Sequence, residues 1–251
     1  YNLTKTNRNM QEEQGLVIQW TQMPTYNTIM AVATGAALCS FAYMGKRIIQ
    51  KKSLNPDGWA INLGVLGLLL FFTGLHMTIF WPLAKYFPYD NIIFGEPSFA
   101  LGTLLLALAF YFWKKSKSIK ETPDPIVEIS RVGRHLRFLF YGLGLSQLAM
   151  AIAGLKYQLF VAPPEEPITG QFAEYPMVEA TFISGLWALT GLAILLIPFV
   201  FDHFASGNRG IGFREKLTYG LLYLVGGTFL IFGAMNYFTH IGLIINTMPG
   251  Q

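Results

Sequence analysis

Six long runs of apolar residues, separated by short stretches that hold most of the charge, organise this chain. They fall at roughly 25–46, 58–81, 96–114, 136–160, 176–201 and 216–246, and each is close to the ~20 residues that a helix needs to cross the bilayer core. The pattern predicts an all-α integral membrane protein with six transmembrane helices over 25–247 and an N-terminal arm over 1–24. Nothing is left over for a soluble domain.

The loops between the runs alternate in charge. KRIIQKKSLNPD, KKSKSIKETPDPIVEISRVGRHLR and DHFASGNRGIGFREK together carry 14 of the 18 Lys and Arg residues. The other face has only Lys5, Arg8, Lys85 and Lys156 against eight acids. Because basic loops stay on the cytoplasmic side, the loops after spans 1, 3 and 5 are expected in the cytoplasm and both termini on the extracytoplasmic side, most simply of a prokaryotic cytoplasmic membrane. Trp20, Tyr26, Trp59, Trp81, Tyr86, Trp113, Tyr157 and Tyr175 mark the span ends as an interfacial belt does, while Trp187 lies deeper and reads as packing. TPDP at 122–125 and APPEEP at 162–167 break the helices. PIVEISRVGRHLRFLF is expected to begin as a short amphipathic surface helix before it enters the membrane.

Composition supports the same class. The chain is 53% hydrophobic and 13% charged, where a soluble domain carries about 25% charged residues. The net charge of +4 comes from clusters between apolar runs, so nucleic acid is not an expected partner; the bilayer and other membrane subunits are. The single Cys39 excludes an internal disulfide and CxxC chemistry. No P-loop, GxSxG or HExxH is present, and the glycine-rich GNRGIG at 207–212 follows a membrane helix rather than a strand. The chain opens on Tyr1 rather than Met, which suggests processing or an upstream segment outside this numbering.

An internal repeat is visible at a spacing of 80 residues: TGLHMTIFWPLA (73–84) lies over AGLKYQLFVAPP (153–164). EPSFALGTLLLALAF (96–110) in turn lies over EATFISGLWALTGLA (179–193), 83 residues on. FGAMNYF (232–238) and NTIMAVATG (27–35) offer a weaker third copy. The expected architecture is three same-direction helical hairpins, made of spans 1–2, 3–4 and 5–6.

Under this alignment His76, Lys156 and Met235 are equivalent near the outer ends of the even helices, and Asn27, Glu96 and Glu179 at the outer starts of the odd ones; Asn236 follows Met235 in the third copy. Ionisable residues within a span are costly and normally face the protein interior. One reading is structural: Glu96 and Glu179 complement helix N-termini, Glu96-Pro97 is a helix start, and Lys156 snorkels. The other is an outer site in which His76, Glu96, Glu179 and His240 bind a transition metal, a quinol head group or a proton. A b-type haem between His76 and His240 is a further candidate, with His135 and His203 as an inner pair. Asn62, Thr73, Thr103, Ser146, Gln147, Ser184, Thr190 and Thr228 read as polar packing between helices.

GLHMTIFWPL followed by YDNIIFGEPSFALG resembles an uncharacterised bacterial and archaeal membrane family, domain of unknown function 981. The resemblance is carried by Gly74, Leu75, His76, Met77, Thr78, Trp81, Pro82, Leu83, Asn91, Ile92, Phe94, Gly95, Glu96 and Pro97. It implies that His76 and Glu96 act as a pair and implies no chemistry. The connection AKYFPYD is longer than the family's usual link, a departure that shifts His76 relative to Glu96. The expected function is a non-catalytic integral subunit of a larger bioenergetic membrane complex, such as an oxidoreductase or electron-transport assembly. Its alternatives are a subunit holding haem, metal or quinol, and a small transporter or channel lined by Glu96, Glu179 and Lys156.

Overall fold

The computed structural model describes residues 18–20 and 24–248. Most of the expected N-terminal arm, with Lys5 and Arg8, lies outside the described residues. Those that are described form helices and connections without a strand. The helices are α1 (Asn27–Ile49), α2 (Pro56–Phe80), α3 (Glu96–Lys114), α4 (Ser116–Glu121), α5 (Pro125–Gly133), α6 (Arg137–Tyr157), α7 (Pro176–Ala205) and α8 (Phe213–Thr247). Six helical runs are long and apolar enough to cross a membrane: α1, α2, α3 with its preceding π-turn, α5 continued through α6, α7, and α8.

Local sequence explains where these helices start and stop. The Asn55 side chain accepts the Gly58 N–H and Pro56 opens α2, a strong N-terminal signal. The same helix ends at Trp81 because a following proline disfavours helical geometry there; Trp81 turns left-handed at φ 48°. Its N–H still closes the last turn on the Met77 carbonyl. α6 ends likewise at Gln158, φ 51°, with its N–H on the Gly154 carbonyl. The expected amphipathic element is present as α5, which buries Val127, Ser130 and Gly133 and joins α6 through the short turn Arg134–Leu136.

The expected hairpins are not the packing units. α2 packs on α3, α6 on α7, and α1 on α8, whereas α1 and α2 touch far less. The reason lies in where the small residues fall. A Cβ on Gly74 would run into the Phe99 backbone nitrogen and lie 2.8 Å from the Gly95 carbonyl oxygen, and one on Gly102 would lie 2.7 Å from Phe71 Cα. On Gly191 it would be 2.8 Å from the Gly144 oxygen, and on Gly35 2.6 Å from the Gly226 oxygen. Glycine thus allows backbone-to-backbone approach in all three pairs, the usual way for apolar helices to gain contact area. The repeated unit is therefore an even helix, its loop and the next odd helix, with the third unit closed by the last helix against the first. α3 and α6 do not pack closely on each other.

Candidate functional site

A cavity of about 620 Å³ lies between the three helix pairs, within the range of small-molecule sites, roughly 300–1,000 Å³. Leu101, Ile183, Leu186, Trp187 and Phe229 give its middle an apolar wall. Asn27, Asp90, Glu166, Glu179, Asn236 and His240 line it toward the end where α7 starts, here the acidic end. Glu215, Tyr111 and Thr218 line it toward the opposite, basic end, and Gln147 lies on α6 between the two. Among the described residues no Lys or Arg lines it.

The acidic end is assembled from loops as much as from helices. After α6 the chain folds back over α8: Pro167 packs so tightly on Gly242 that an added Cβ would lie 2.9 Å from its Cδ. The Asn246 amide donates to the Glu165 carbonyl at 2.7 Å. Ile168 completes this fold-back at φ 69°, a strained conformation for a β-branched residue. The result brings the Glu166 carboxylate within 3.9 Å of His240 Nε2, and burial raises the Glu166 pKa above the usual carboxylate range. Glu179, in the first turn of α7, accepts the Ala162 N–H at 2.7 Å, which ties the same loop to α7.

Asp90 reaches the cavity by another route. Asn91 is fully buried; its side chain accepts the Leu83 N–H and donates to the Pro88 carbonyl, both at 3.1 Å. These bonds clamp the loop after α2, and the π-turn Asn91–Gly95 leads directly into α3. Tyr89 and Phe94 then pack against Phe160, Ile183 and Trp187. Desolvation by this surrounding pushes the Asp90 carboxyl up to about 7.

Several polar atoms facing this space lack hydrogen-bond partners. They include Gln147 Oε1, Glu215 Oε1 and His240 Nδ1, and Gln147 is only 2% exposed. Buried polar atoms are normally satisfied, so these acceptors and the imidazole nitrogen are available to an occupant.

The residues expected to form a site are divided by the structure. Asn27, Glu179, Asn236 and His240 line the cavity. His76 is exposed outside it, with Nδ1 2.6 Å from the Tyr26 hydroxyl. Burial pushes the Tyr26 phenol up to about 12, so it keeps its proton, and the direction of the bond follows the His76 tautomer. Glu96 is exposed in the first turn of α3, where it complements the helix N-terminus. Lys156 is exposed, with its ammonium 5.3 Å from the Tyr157 ring centre. The expected set His76, Glu96 and Glu179 is not assembled: among the described residues no group of three His, Cys, Asp or Glu side chains is placed to hold a metal. Of the expected haem pair, His240 lines the cavity and His76 does not. Of the inner pair, His135 is exposed and His203 Nε2 lies 2.7 Å from the Gly210 carbonyl oxygen.

Asp90, Glu166 and Glu215 had been no more than loop or flanking acids in the sequence, and Gln147 no more than packing. Two faint signals pointed to them. Asp90 directly precedes the motif residue Asn91, and Glu166 lies in the proline-bracketed APPEEP, where the backbone is stiff enough to aim a side chain.

Fold and cavity together define a class: six long apolar helices, paired through glycine contacts, around a ligand-sized and acid-lined space. The chain belongs to the family described as protein of unknown function (DUF981), whose model matches residues 23–242. That span runs from just before α1 to near the end of α8. No curated protein and no solved structure matches the chain.

Proposed function

We propose that this is an integral membrane protein that binds an amphipathic small molecule in the cavity between its helix pairs. The basic loops lie in the cytoplasm and both termini outside, following the charge asymmetry of the loops. The outward faces suit lipid: Phe138, Phe213, Ile231 and Phe80 are all at least 70% exposed. The observation that carries the ligand-binding reading is the cavity itself, apolar along its middle and polar at both ends. A helix bundle closed for stability alone would fill such a volume with side chains, because interiors pack without voids of this size.

The reading is tested by extracting the protein from its native membrane into lipid nanodiscs and analysing the bound molecules by native mass spectrometry. One amphipathic molecule per chain, displaced when the cavity is filled by Leu101→Trp, is the expected result. A chain that carries nothing and is indifferent to Leu101→Trp overturns the reading. A role as a non-catalytic subunit of a larger membrane complex is the second reading. It rests on outward aromatic residues such as Phe110 and Trp113, which a bilayer covers equally well, and predicts copurification with other chains.

A further inference from the structure

We propose that the cavity's occupant is a lipophilic monocation: an apolar body bearing one amine or quaternary ammonium group, with its charge seated among Asp90, Glu166 and Glu179. This rests on the ligand-binding reading above and deepens it.

Three features select that chemistry. The first is the sign of the lining. Asp90, Glu166, Glu179 and Glu215 face the cavity from different elements, and among the described residues no Lys or Arg lines it to neutralise them. A buried carboxylate is costly when charged and unpaired. Among the described residues, His240, 3.9 Å from Glu166, is the single lining side chain other than an acid that can carry charge near neutral pH. A cation entering this end would relieve like-charge repulsion and desolvation together, whereas an anion would add to both.

The second feature is independent of the acids. Gln147 is 2% exposed, lines the cavity, and keeps its Oε1 without a hydrogen-bond partner. The wall thus offers a buried acceptor that awaits a donor, the complement of an N–H-bearing or positively polarised group. The third feature is aromatic. Phe94, Phe160, Trp187 and Phe232 line the cavity, and Phe94, Phe160 and Trp187 join one packed cluster with Ile183. Aromatic rings in an acid-lined cavity are a favourable setting for an alkylammonium group. The loose contact between α3 and α6, both of which line the cavity through Leu104, Leu108, Leu143 and Gln147, suits an occupant that arrives from the lipid.

The test uses the full chain in nanodiscs and three probes with the same tail: decyltrimethylammonium, decanol and decyl sulfate. Binding is measured by equilibrium dialysis at micromolar concentration and corrected against empty nanodiscs. The expected result is a preference of about tenfold or more for the ammonium over both others, equal to about 1.4 kcal/mol. The double substitution Glu166→Gln, Glu179→Gln is expected to abolish that preference, and a preference that survives it overturns the seating of the charge among these acids. Equal binding of all three probes by the unaltered protein overturns the cation assignment and leaves the ligand-binding reading standing. Binding of none, together with no copurifying molecule, overturns both. The three-probe comparison on the unaltered chain does not depend on the variant's folding.

Discussion

The α2–α3 crossing and the α6–α7 crossing grow from nearly the same string, TGLHMTIFWPLA in one and AGLKYQLFVAPP in the other, yet they diverge within a single turn. α2 runs to Phe80, one residue short of Trp81-Pro82, while α6 stops at Tyr157, the position equivalent to Met77. In the first crossing Phe80 stays 70% exposed. In the second the chain turns back early, and Phe160, the equivalent residue, is 9% exposed and folds over Gly154. That turn delivers the Ala162 N–H to Glu179, which lines the cavity, whereas the equivalent Glu96 remains outside. The difference teaches that aligned positions in a repeat share a face only as far as the helices share an end.

The aligned glycines offer the sharpest way to break the comparison. Gly102 and Gly185 coincide in the repeat, but a Cβ on Gly102 would collide with the Phe71 backbone while one on Gly185 would meet nothing within 4 Å. Gly102→Ala is expected to cost more than about 3 kcal/mol, because a backbone clash cannot be relieved by a rotamer change. Gly185→Ala is expected to be neutral or to stabilise by about 0.5–1 kcal/mol through helix propensity. Thermal unfolding of both variants in one detergent decides it, and similar losses at the two sites would contradict the packing described.

The next largest effect belongs to the folded-back phenylalanine. Phe160→Ala should cost about 3 kcal/mol or more, and Phe80→Ala less than about 0.5 kcal/mol, as for a surface change. Equal sensitivity would mean that the two turns are alike.

A pH dependence comes from Asp90. Its folded carboxyl, pushed up from 3.8 to about 7, holds its proton where the unfolded chain has lost it. This contribution to stability is complete below about pH 4, falls as pH rises toward 7 and is flat above that. Discounted for the partial exposure of Asp90, the loss is about 2 kcal/mol. In Asp90→Asn the decline between pH 4 and 7 should be correspondingly shallower, and an unchanged pH profile would place the titrating group elsewhere.

The smallest effect concerns His76. Tyr26→Phe removes a single hydrogen bond on an exposed face, at about 1 kcal/mol, and should leave ligand retention in the cavity intact. Loss of the ligand in this variant would bring His76 back into the site.

Much of the fold was legible along the chain. Each span needs only a sustained apolar run, so the six long helices lie close to their expected bounds. The Trp81-Pro82 stop and the amphipathic start of PIVEISRVGRHLRFLF are local signals read within a few residues, whereas the start of α2 at Pro56, two residues ahead of the expected 58, is set by the Asn55 cap. The site was legible in part. Asn27, Glu179, Asn236 and His240 stood out as polar groups in or beside apolar helices, and they do line the cavity. His76 and Glu96 stood out for the same reason and do not, because hydropathy reports that a residue is polar and not which way its helix face turns.

The sequence by itself determined that this chain makes six long apolar helices, where most of them begin and end, and how charge divides between their two ends. These depend on neighbours a few residues apart. Only the tertiary structure decided that α2 pairs with α3, α6 with α7 and α1 with α8, and that Asp90 and Glu166 enter the space between those pairs. Both outcomes depend on backbone approach between residues distant in the chain, such as Gly35 with Gly226 and Pro167 with Gly242. An apolar pattern alone is compatible with many such pairings, and steric fit selects one.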